Sequence, residues 1–207
     1  GVVGKHGIEI TSSGVTLDLN GFDLVGIPGM GTFDGVSVTV DSLRGIAVLN
    51  GSARDWGDGG VDLGFRSRGC RVEGVRASGN AGTGITSSIS STVTNCTASF
   101  NGQRGIFSSN GSTVTNCSVE SNGGNGIQVN NGCTVANSSA YFNTSNGFLA
   151  GVGSSMIDCS AFQNMLDGIQ IAEGSTISRC TVQGNTEKGI DAGDRCTITE
   201  CTATFND

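Results

Sequence analysis

The stretch that decides the fold is residues 126–146, GIQVNNGCTVANSSAYFNTSN. It is one unit of a 21-residue repeat that continues without insertion between Gly84 and Asp207. Each unit opens with a glycine and a large apolar residue and carries an asparagine at a fixed offset, at Asn101, Asn122, Asn143, Asn164, Asn185 and Asn206. A fixed period of this length is typical of a solenoid, in which each unit buries its apolar face against the next.

Within a unit, apolar and polar residues alternate with the period of a strand, and no apolar run has helical spacing. We therefore predict three short strands per unit, with Ile127 and Val129 inward on the first, Val135 on the second, and Ser138 and Ala140 on the third. Glycine, serine and asparagine fill the corners. Each strand should pair in parallel with its counterpart in the next coil, about 4.8 Å away.

The asparagine at the fixed offset predicts a ladder through the stack. Asparagine tolerates left-handed backbone, so we expect it at a corner. Side-chain amides stacked one per rung can hydrogen-bond to the amides above and below. This structural interpretation explains the whole column at once and is favoured over a catalytic role.

These units resemble the right-handed parallel β-helix repeats of the pectate-lyase-like superfold. The resemblance implies an all-β, single-stranded right-handed parallel β-helix, with about nine coils forming one domain over residues 1–207. The superfold carries lyases, hydrolases, epimerases, phage tailspikes and adhesins. It therefore indicates the fold much more specifically than the function.

The chain before the regular region (residues 84–207) is less regular. Residues 1–83 contain units that start near Gly7, Gly35 and Gly60, and each of them is longer than the regular unit. The segment TLDLNGF resembles the opening coil of β-helix proteins. The extra residues predict three loops: IPGMGTF around Pro28, ARDWGDGG around Trp56, and GFRSRG around Arg66. In solenoids such loops often gather on one face and form the binding surface.

Composition excludes several classes of partner. The formal charge of −7 argues against binding to nucleic acid or to an anionic membrane surface. No apolar run is long enough to span a bilayer, and no signal-peptide pattern is present. The last coil has no capping element, so we expect a piece of a longer protein, or a homo-oligomer or end-to-end stack that covers the ends.

The eight cysteines follow the repeat rather than a metal or disulfide pattern. One column holds Cys96, Cys117, Cys159, Cys180 and Cys201, and a second holds Cys70, Cys133 and Cys196. Neighbouring side chains in register keep their Cβ atoms about one rung apart, slightly too far for good disulfide geometry. We predict a ladder of buried, reduced thiols that fill space as small apolar groups.

The irregular coils hold the first candidate site. Lyases of this superfold use an arginine or lysine base and Ca²⁺ held by aspartates, so the resemblance implies such roles here. We assign Asp62, Arg66 and Arg68 as candidate catalytic residues, Asp55 and Asp58 as candidate Ca²⁺ ligands, and Trp56 as an exposed sugar-binding surface. Hydrolases of this fold instead use two or three aspartates on neighbouring coils. The alternative is that Trp56 covers a loop and the charges form a solvated rim.

The second candidate site is the outward column one residue after each Gly-Ile pair. Its members are Glu9, Ser37, Asp62, Thr86, Phe107, Gln128, Leu149, Gln170 and Asp191. We assign Phe107, Gln128 and Gln170 as a strip that could bind a polysaccharide lengthwise, or contact another copy of the chain. One further charged cluster is interpreted as a solvated edge; it contains Asp167, Glu187, Lys188 and Asp191. The single histidine, His6, is interpreted as an ordinary surface residue.

Two functional hypotheses follow. The first is an extracellular or cell-surface domain that binds or processes polysaccharide, as a lyase or glycoside hydrolase if it is an enzyme. The second is a non-catalytic structural or adhesive segment of a larger or oligomeric surface protein. The irregular early coils favour the first hypothesis, and the uniformity of the later coils favours the second.

Overall fold

The computed structural model describes residues 2–27, 29 and 31–207 and is a right-handed parallel β-helix, as predicted. Strands of three ranks wind around a common core. The first rank forms a nine-stranded parallel sheet, one strand for each coil. The second and third ranks join into one 16-stranded sheet.

The first rank contains β1 (Ile8–Ile10), β4 (Val36–Val38), β6 (Val61–Asp62), β8 (Ile85–Ser87), β11 (Ile106–Ser108), β14 (Ile127–Val129), β17 (Phe148–Ala150), β20 (Ile169–Ile171) and β23 (Ile190–Ala192). The second rank contains β2 (Thr16–Asp18), β9 (Thr92–Thr94), β12 (Thr113–Thr115), β15 (Thr134–Ala136), β18 (Ser155–Ile157), β21 (Thr176–Ser178) and β24 (Thr197–Thr199). The third rank contains β3 (Asp23–Val25), β10 (Thr97–Ser99), β13 (Ser118–Glu120), β16 (Ser139–Tyr141), β19 (Ser160–Phe162), β22 (Thr181–Gln183) and β25 (Thr202–Thr204). Two long strands, β5 (Ala47–Arg54) and β7 (Arg71–Ser78), run through the corner between the second and third ranks and join them.

The register confirms the predicted coil lengths. In the first rank Ile8 pairs with Val36, Val36 with Val61, and Val61 with Ile85, so the early coils shorten stepwise toward the regular unit. From Ile85 onward each residue pairs with the one at the same place in the next regular unit. The outward column therefore stacks in the predicted order, with Asp62 between Ser37 and Thr86.

The core is a continuous stack of small and branched side chains. In a typical coil it takes Ile127, Val135 and Ala140, one from each rank, and all three are buried. All eight cysteines are free thiols, and six of them are buried, which confirms their prediction as apolar filler. The long strands β5 and β7 belong to the irregular coils, and Asn50 and Gly74 take left-handed backbone at the bend within them, with φ 51° and 62°.

The asparagine ladder is confirmed. The Nδ2 of Asn122 donates to Oδ1 of Asn143 over 3.0 Å, and the backbone N–H of Asn122 donates to the same oxygen over 3.1 Å. The pattern repeats along the column from Asn80 to Asn206. The expected left-handed backbone lies one residue earlier, for example at Phe142 with φ 57°, because the asparagine itself turns into the core.

Pro28 and Met30, at the centre of the first predicted loop, lie outside the described residues. Across the part of the chain that is described, no helix is long and apolar enough to cross a bilayer.

Candidate functional site

A cleft of about 340 Å³ opens on the first-rank face where the irregular coils meet the first regular coils. We call it the acidic cleft, because aspartates form one of its walls. Its lining residues are Asp34, Asp58, Gly59, Asp62, Phe65, Thr83, Thr86, Gln103, Arg104 and Phe107. Two of the three predicted loops supply part of this lining, so the prediction that the early loops gather on one face is supported.

Asp62 lies at the centre of the aspartate wall. It points outward from β6, and its Oδ1 accepts the backbone N–H of Gly64 over 2.7 Å. Burial raises the pKa of Asp62 above its ordinary value of 3.8, and the negative charges of Asp34 and Asp58 raise it further. Asp62 therefore holds a proton to higher pH than an exposed aspartate would.

Asp34 forms the inner part of the same wall. Its Oδ1 accepts the backbone N–H of Gly59 over 2.7 Å, and burial raises the pKa of its carboxyl group. The negative charge of Asp58 adds to this shift, as it does for Asp62. A group of carboxyls with different environments is the usual way in which a protein separates a proton donor from a proton acceptor.

His6 was predicted to be an ordinary surface residue, and that prediction is wrong. Its Nδ1 accepts the backbone N–H of Asp34 over 3.0 Å, and its ring packs edge-on against Phe33 with centroids 5.1 Å apart. Because Nδ1 is an acceptor, the neutral ring carries its proton on Nε2. His6 therefore positions the backbone of Asp34 at the base of the acidic cleft.

The charged cluster of Asp167, Lys188 and Asp191 follows the same register as Asp34. Asp34 directly precedes the glycine of its coil, and Asp167 occupies the equivalent position in a regular coil. The Oδ1 of Asp167 accepts the backbone N–H of Lys188 over 3.0 Å, and Asp167 is buried rather than part of a solvated edge. Lys188 forms an ion pair with Asp191 over 2.7 Å, which lowers the pKa of Asp191. Each of these three groups has a partner within the cluster, which fits a structural role.

Other lining residues of the cleft are aromatic or cationic. The rings of Phe65 and Phe107 meet edge to face with centroids 5.6 Å apart, and Phe65 remains 61% exposed. The guanidinium carbon of Arg104 lies 5.5 Å from the centroid of Phe107, and Arg104 Nε donates to Oε1 of Gln128. Sequence reasoning missed Arg104, although it precedes the glycine of its coil just as Asp34 does and lies beside the predicted Phe107.

Two of the predicted catalytic residues lie elsewhere. Arg66 is 75% exposed on its side chain and forms an ion pair with Asp41 over 2.9 Å. Arg68 is exposed, and its backbone forms isolated parallel β-bridges with Arg44 and Ile89. Neither arginine lines the acidic cleft, so the grouping of Asp62 with Arg66 and Arg68 is wrong. The cleft residue from this loop is Phe65, and the cleft cation is Arg104.

Trp56 is not an exposed sugar-binding surface. It is 3% exposed, and its Nε1 donates to the carbonyl oxygen of Leu24 over 3.0 Å. Its ring occupies the space that a Cβ would take at Gly7 and Gly35. Trp56 stands at the ladder position, since its backbone N–H donates to Oδ1 of Asn80 over 3.0 Å. A signal was present in the sequence: Trp56 and Asn80 each lie at the same offset before the glycine of a coil.

The proposed calcium ligands are separated. Asp55 forms an ion pair with Arg54 over 2.7 Å, whereas Asp58 lines the acidic cleft. Among the described residues, no three or more His, Cys, Asp or Glu side chains are grouped so that they could hold a metal ion. The pairing of Asp55 with Asp58 does not fit a calcium site, and we derive no chemistry from one.

Gln128 and Gln170 lie in the outward column as predicted, beyond Phe107. Each amide oxygen accepts from an asparagine side chain, Asn125 for Gln128 and Asn146 for Gln170, over 3.0 Å. Gln170 also donates to Asp191 over 3.3 Å. The strip is therefore preorganised by its neighbours, and its role in binding remains a prediction.

The sequence is similar to one described family of proteins. A family described as a right handed beta helix region matches residues 2–145, which include the whole acidic cleft. No curated protein sequence matches the chain significantly.

Several solved structures share the fold of this chain. The periplasmic alginate epimerase AlgG superposes with a TM-score of 0.68 at 16% identity over 82% of this chain and 47% of its own. The A-module of mannuronan C-5 epimerase AlgE4 from Azotobacter vinelandii has a TM-score of 0.66 at 14% identity over 84% and 65%. Pectate lyase Pel9A has a TM-score of 0.65 at 16% identity over 98% and 69%. These identities show the fold alone, and the chain spans about half the length of AlgG.

Proposed function

Since the chain belongs to the right-handed β-helix family, we propose that it binds a polysaccharide in the acidic cleft and processes it there by acid–base chemistry. The observation that carries the proposal is the aspartate wall, in which burial raises the pKa of Asp62 and Asp34 beside Asp58. The fold neighbours named as alginate epimerases and a pectate lyase support polysaccharide as the class of substrate.

The roles follow from protonation. Asp62 keeps its proton to higher pH and is the general acid, which donates to the oxygen of the glycosidic bond as that bond breaks. A second carboxyl group of the same wall, Asp58 or Asp34, acts in its charged form as the general base, which takes a proton from water as the water oxygen bonds to the sugar carbon released from the glycosidic bond. The proton given by Asp62 is restored from solvent after each cycle.

The aromatic and cationic lining residues bind and orient the substrate. The exposed face of Phe65 packs against the apolar face of a sugar ring, and the guanidinium of Arg104 holds a carboxylate or hydroxyl group of the sugar. The strip of Gln128, Leu149 and Gln170 continues from Phe107 along the helix axis and offers contacts to further sugar units. A location outside the cytoplasm belongs to the same proposal, and the name of the periplasmic AlgG supports it.

The test is a panel of acidic and neutral polysaccharides incubated with the wild type and with Asp62→Asn. Binding and the release of reducing or unsaturated ends are followed together across pH. We expect the wild type to release reducing ends and Asp62→Asn to bind equally but react about 10²-fold more slowly or worse. Release of unsaturated ends would replace hydrolysis with elimination. Binding without any product would favour the adhesive hypothesis, and absence of binding would refute the proposal.

A further inference from the structure

Three aromatic rings project from the third rank, on a different side of the coil from the acidic cleft. Tyr141 and Phe142 meet edge to face with centroids 5.9 Å apart, and Phe142 meets Phe162 in the same way at 6.1 Å. We call this group the aromatic platform. Phe142 is 48% exposed and Phe162 is 37% exposed, so the rings are fixed by one another but open to solvent.

The backbone at Phe142 is unfavourable for a phenylalanine. Its φ is 57°, in the left-handed region, which is uncommon for a bulky side chain. The same corner holds Gly79 with φ 65° and Gly184 with φ 67°, so the fold accepts glycine there without strain. A strained side chain that stays half exposed adds little to folding stability. Phe100 and Phe205 occupy the same corner with φ 55° and 54°, so what distinguishes Phe142 is the contact of its ring with Tyr141 and Phe162.

We propose that the aromatic platform binds a neutral polysaccharide. The apolar CH faces of pyranose rings pack well against aromatic rings, and hydroxyl groups need donors and acceptors beside them. Glu120 flanks Tyr141 and Gln183 flanks Phe162 in the register of the rank, and both are partly exposed.

The charges in the columns of the aromatic platform indicate which kind of polysaccharide it binds. The two columns that form the platform, taken from Ser78 to Phe205, contain no lysine or arginine. A uronate or sulfate group would find no cation in these columns and would meet the carboxylate of Glu120. The platform therefore fits an uncharged glycan, whereas the acidic cleft holds Arg104 and can accept a charged one.

The size of the platform argues against a protein partner. The exposed area of the three rings is on the order of 250 Å². A stable protein–protein interface takes about 800 Å² from each partner. Polar residues bound the rings along both columns, so the apolar surface matches one or two sugar rings better than a second copy of the chain.

This inference does not depend on the proposed chemistry of the cleft. The platform would hold the domain on a neutral polysaccharide whether or not the cleft turns over a substrate. Asp62→Asn should consequently leave binding at the platform unchanged, so failure of the cleft proposal and failure of this one give different results.

The test compares Phe142→Gly with the wild type in binding isotherms on insoluble cellulose, xylan, mannan and β-glucan. Gln163→Gly is the matched control, since Gln163 occupies the same left-handed corner with φ 50° but carries no ring. We expect the wild type to bind at least one of these glycans, Phe142→Gly to bind at least tenfold more weakly, and Gln163→Gly to lose less than threefold. The unfolding midpoint of Phe142→Gly should be no lower than that of Gln163→Gly.

Three results would overturn the inference: no binding of the wild type to any neutral glycan, equal binding of Phe142→Gly, or an equal loss in Gln163→Gly. Light scattering at rising concentration adds a further check. A self-association that Phe142→Gly abolishes, with glycan binding intact, would show that the platform contacts a second copy instead.

Discussion

The coils before and after Gly84 place different side chains in the same columns. In three successive regular coils, the residue before the glycine is Asn125, Asn146 and Asp167, and each accepts a backbone N–H from the next coil. In the irregular coils the same column holds His6 and Asp34, which make the same kind of bond. The difference is that Asp34 also faces a cleft.

The outward column shows the same contrast. In the regular coils, Gln128 and Gln170 bond to neighbouring amides, and Asp191 is paired with Lys188. In the irregular coils Asp62 lies in the acidic cleft beside two other carboxyl groups, and its pKa is raised. A single register thus supports a structural ladder where the repeat is uniform and a group of carboxyls with raised pKa values where longer loops open a cleft.

The largest effect on stability is expected at Trp56, which replaces the ladder asparagine in the irregular coils. Trp56→Ala removes a buried ring and its hydrogen bond to Leu24, and should cost about 4 kcal/mol of unfolding free energy. Urea unfolding followed by circular dichroism measures it. The control Phe65→Ala, at an exposed ring, should cost less than about 1 kcal/mol. Equal costs would mean that Trp56 is not a core residue.

The corresponding change in the regular coils is Asn143→Ala. It removes the acceptor of both the backbone N–H and the side-chain amide of Asn122, which are buried. We expect a loss of about 3 kcal/mol in the same unfolding experiment, because buried donors are left unpaired. The exposed Asn137, with φ 49°, is the control: Asn137→Gly should change stability by less than about 0.5 kcal/mol. A small loss at Asn143 would contradict a stabilising ladder.

A third change tests which arginine serves the cleft. Arg104→Ala should weaken binding of the polysaccharide identified in the panel by about tenfold, or about 1.4 kcal/mol. Arg66→Ala should leave the affinity unchanged, because Arg66 is paired with Asp41 outside the cleft. Titration calorimetry compares the two. A loss confined to Arg66→Ala would restore the site predicted from sequence and refute the cleft described here.

Most features of the fold could be predicted from the repeat in the sequence. The period of the repeat predicts the strands, the rungs, the buried thiols and the asparagine ladder, because every unit repeats the same physical requirement. It also predicts the order of the outward column, including Asp62 and Phe107. Column position could have identified Trp56 as buried and Arg104 as a neighbour of Phe107.

The loops could not be predicted in the same way. A loop has no period, so the direction of each side chain depends on the closure of that loop and on its neighbours in space. The segment GFRSRG shows this: the sequence favours its two charged residues as the site, and the structure places Phe65 in the cleft and Arg66 outside it. The pairing of Asp55 with Arg54 is a local contact of the same kind.

A fourth prediction concerns pH. The pKa of Asp62 is raised in the folded state, so the folded protein binds that proton more tightly than the unfolded chain does. The stabilisation that protonated Asp62 provides is present at acid pH. It is lost as the pH rises from near 3.8 through the raised pKa of the folded protein. Asp62→Asn cannot ionise and should match the wild type at pH 3.5 or below but exceed it by roughly 0.5–2 kcal/mol at pH 7. A less stable variant at pH 7 would contradict a carboxyl group whose charged form is disfavoured by burial.

The smallest effect is expected at the exposed ion pair of the regular coils, Asp158 with Arg179, over 2.7 Å. Asp158→Asn should leave the unfolding midpoint unchanged, because exposed pairs contribute little and the same corner already holds Asn95, Asn116 and Asn137 in left-handed backbone. Thermal unfolding at low and high salt measures it. A clear drop in midpoint would show that surface charge also stabilises the stack.

The most direct measurement is the initial rate of product release from the polysaccharide that the wild type processes, compared between Asp62→Asn and Asp158→Asn. Both variants remove one negative charge by the same substitution, one in the acidic cleft of the irregular coils and one at a corner of the regular coils. We predict a loss of about 10²-fold or more for Asp62→Asn and no change for Asp158→Asn. Equal rates in the two variants would contradict the assignment of the chemistry to the acidic cleft.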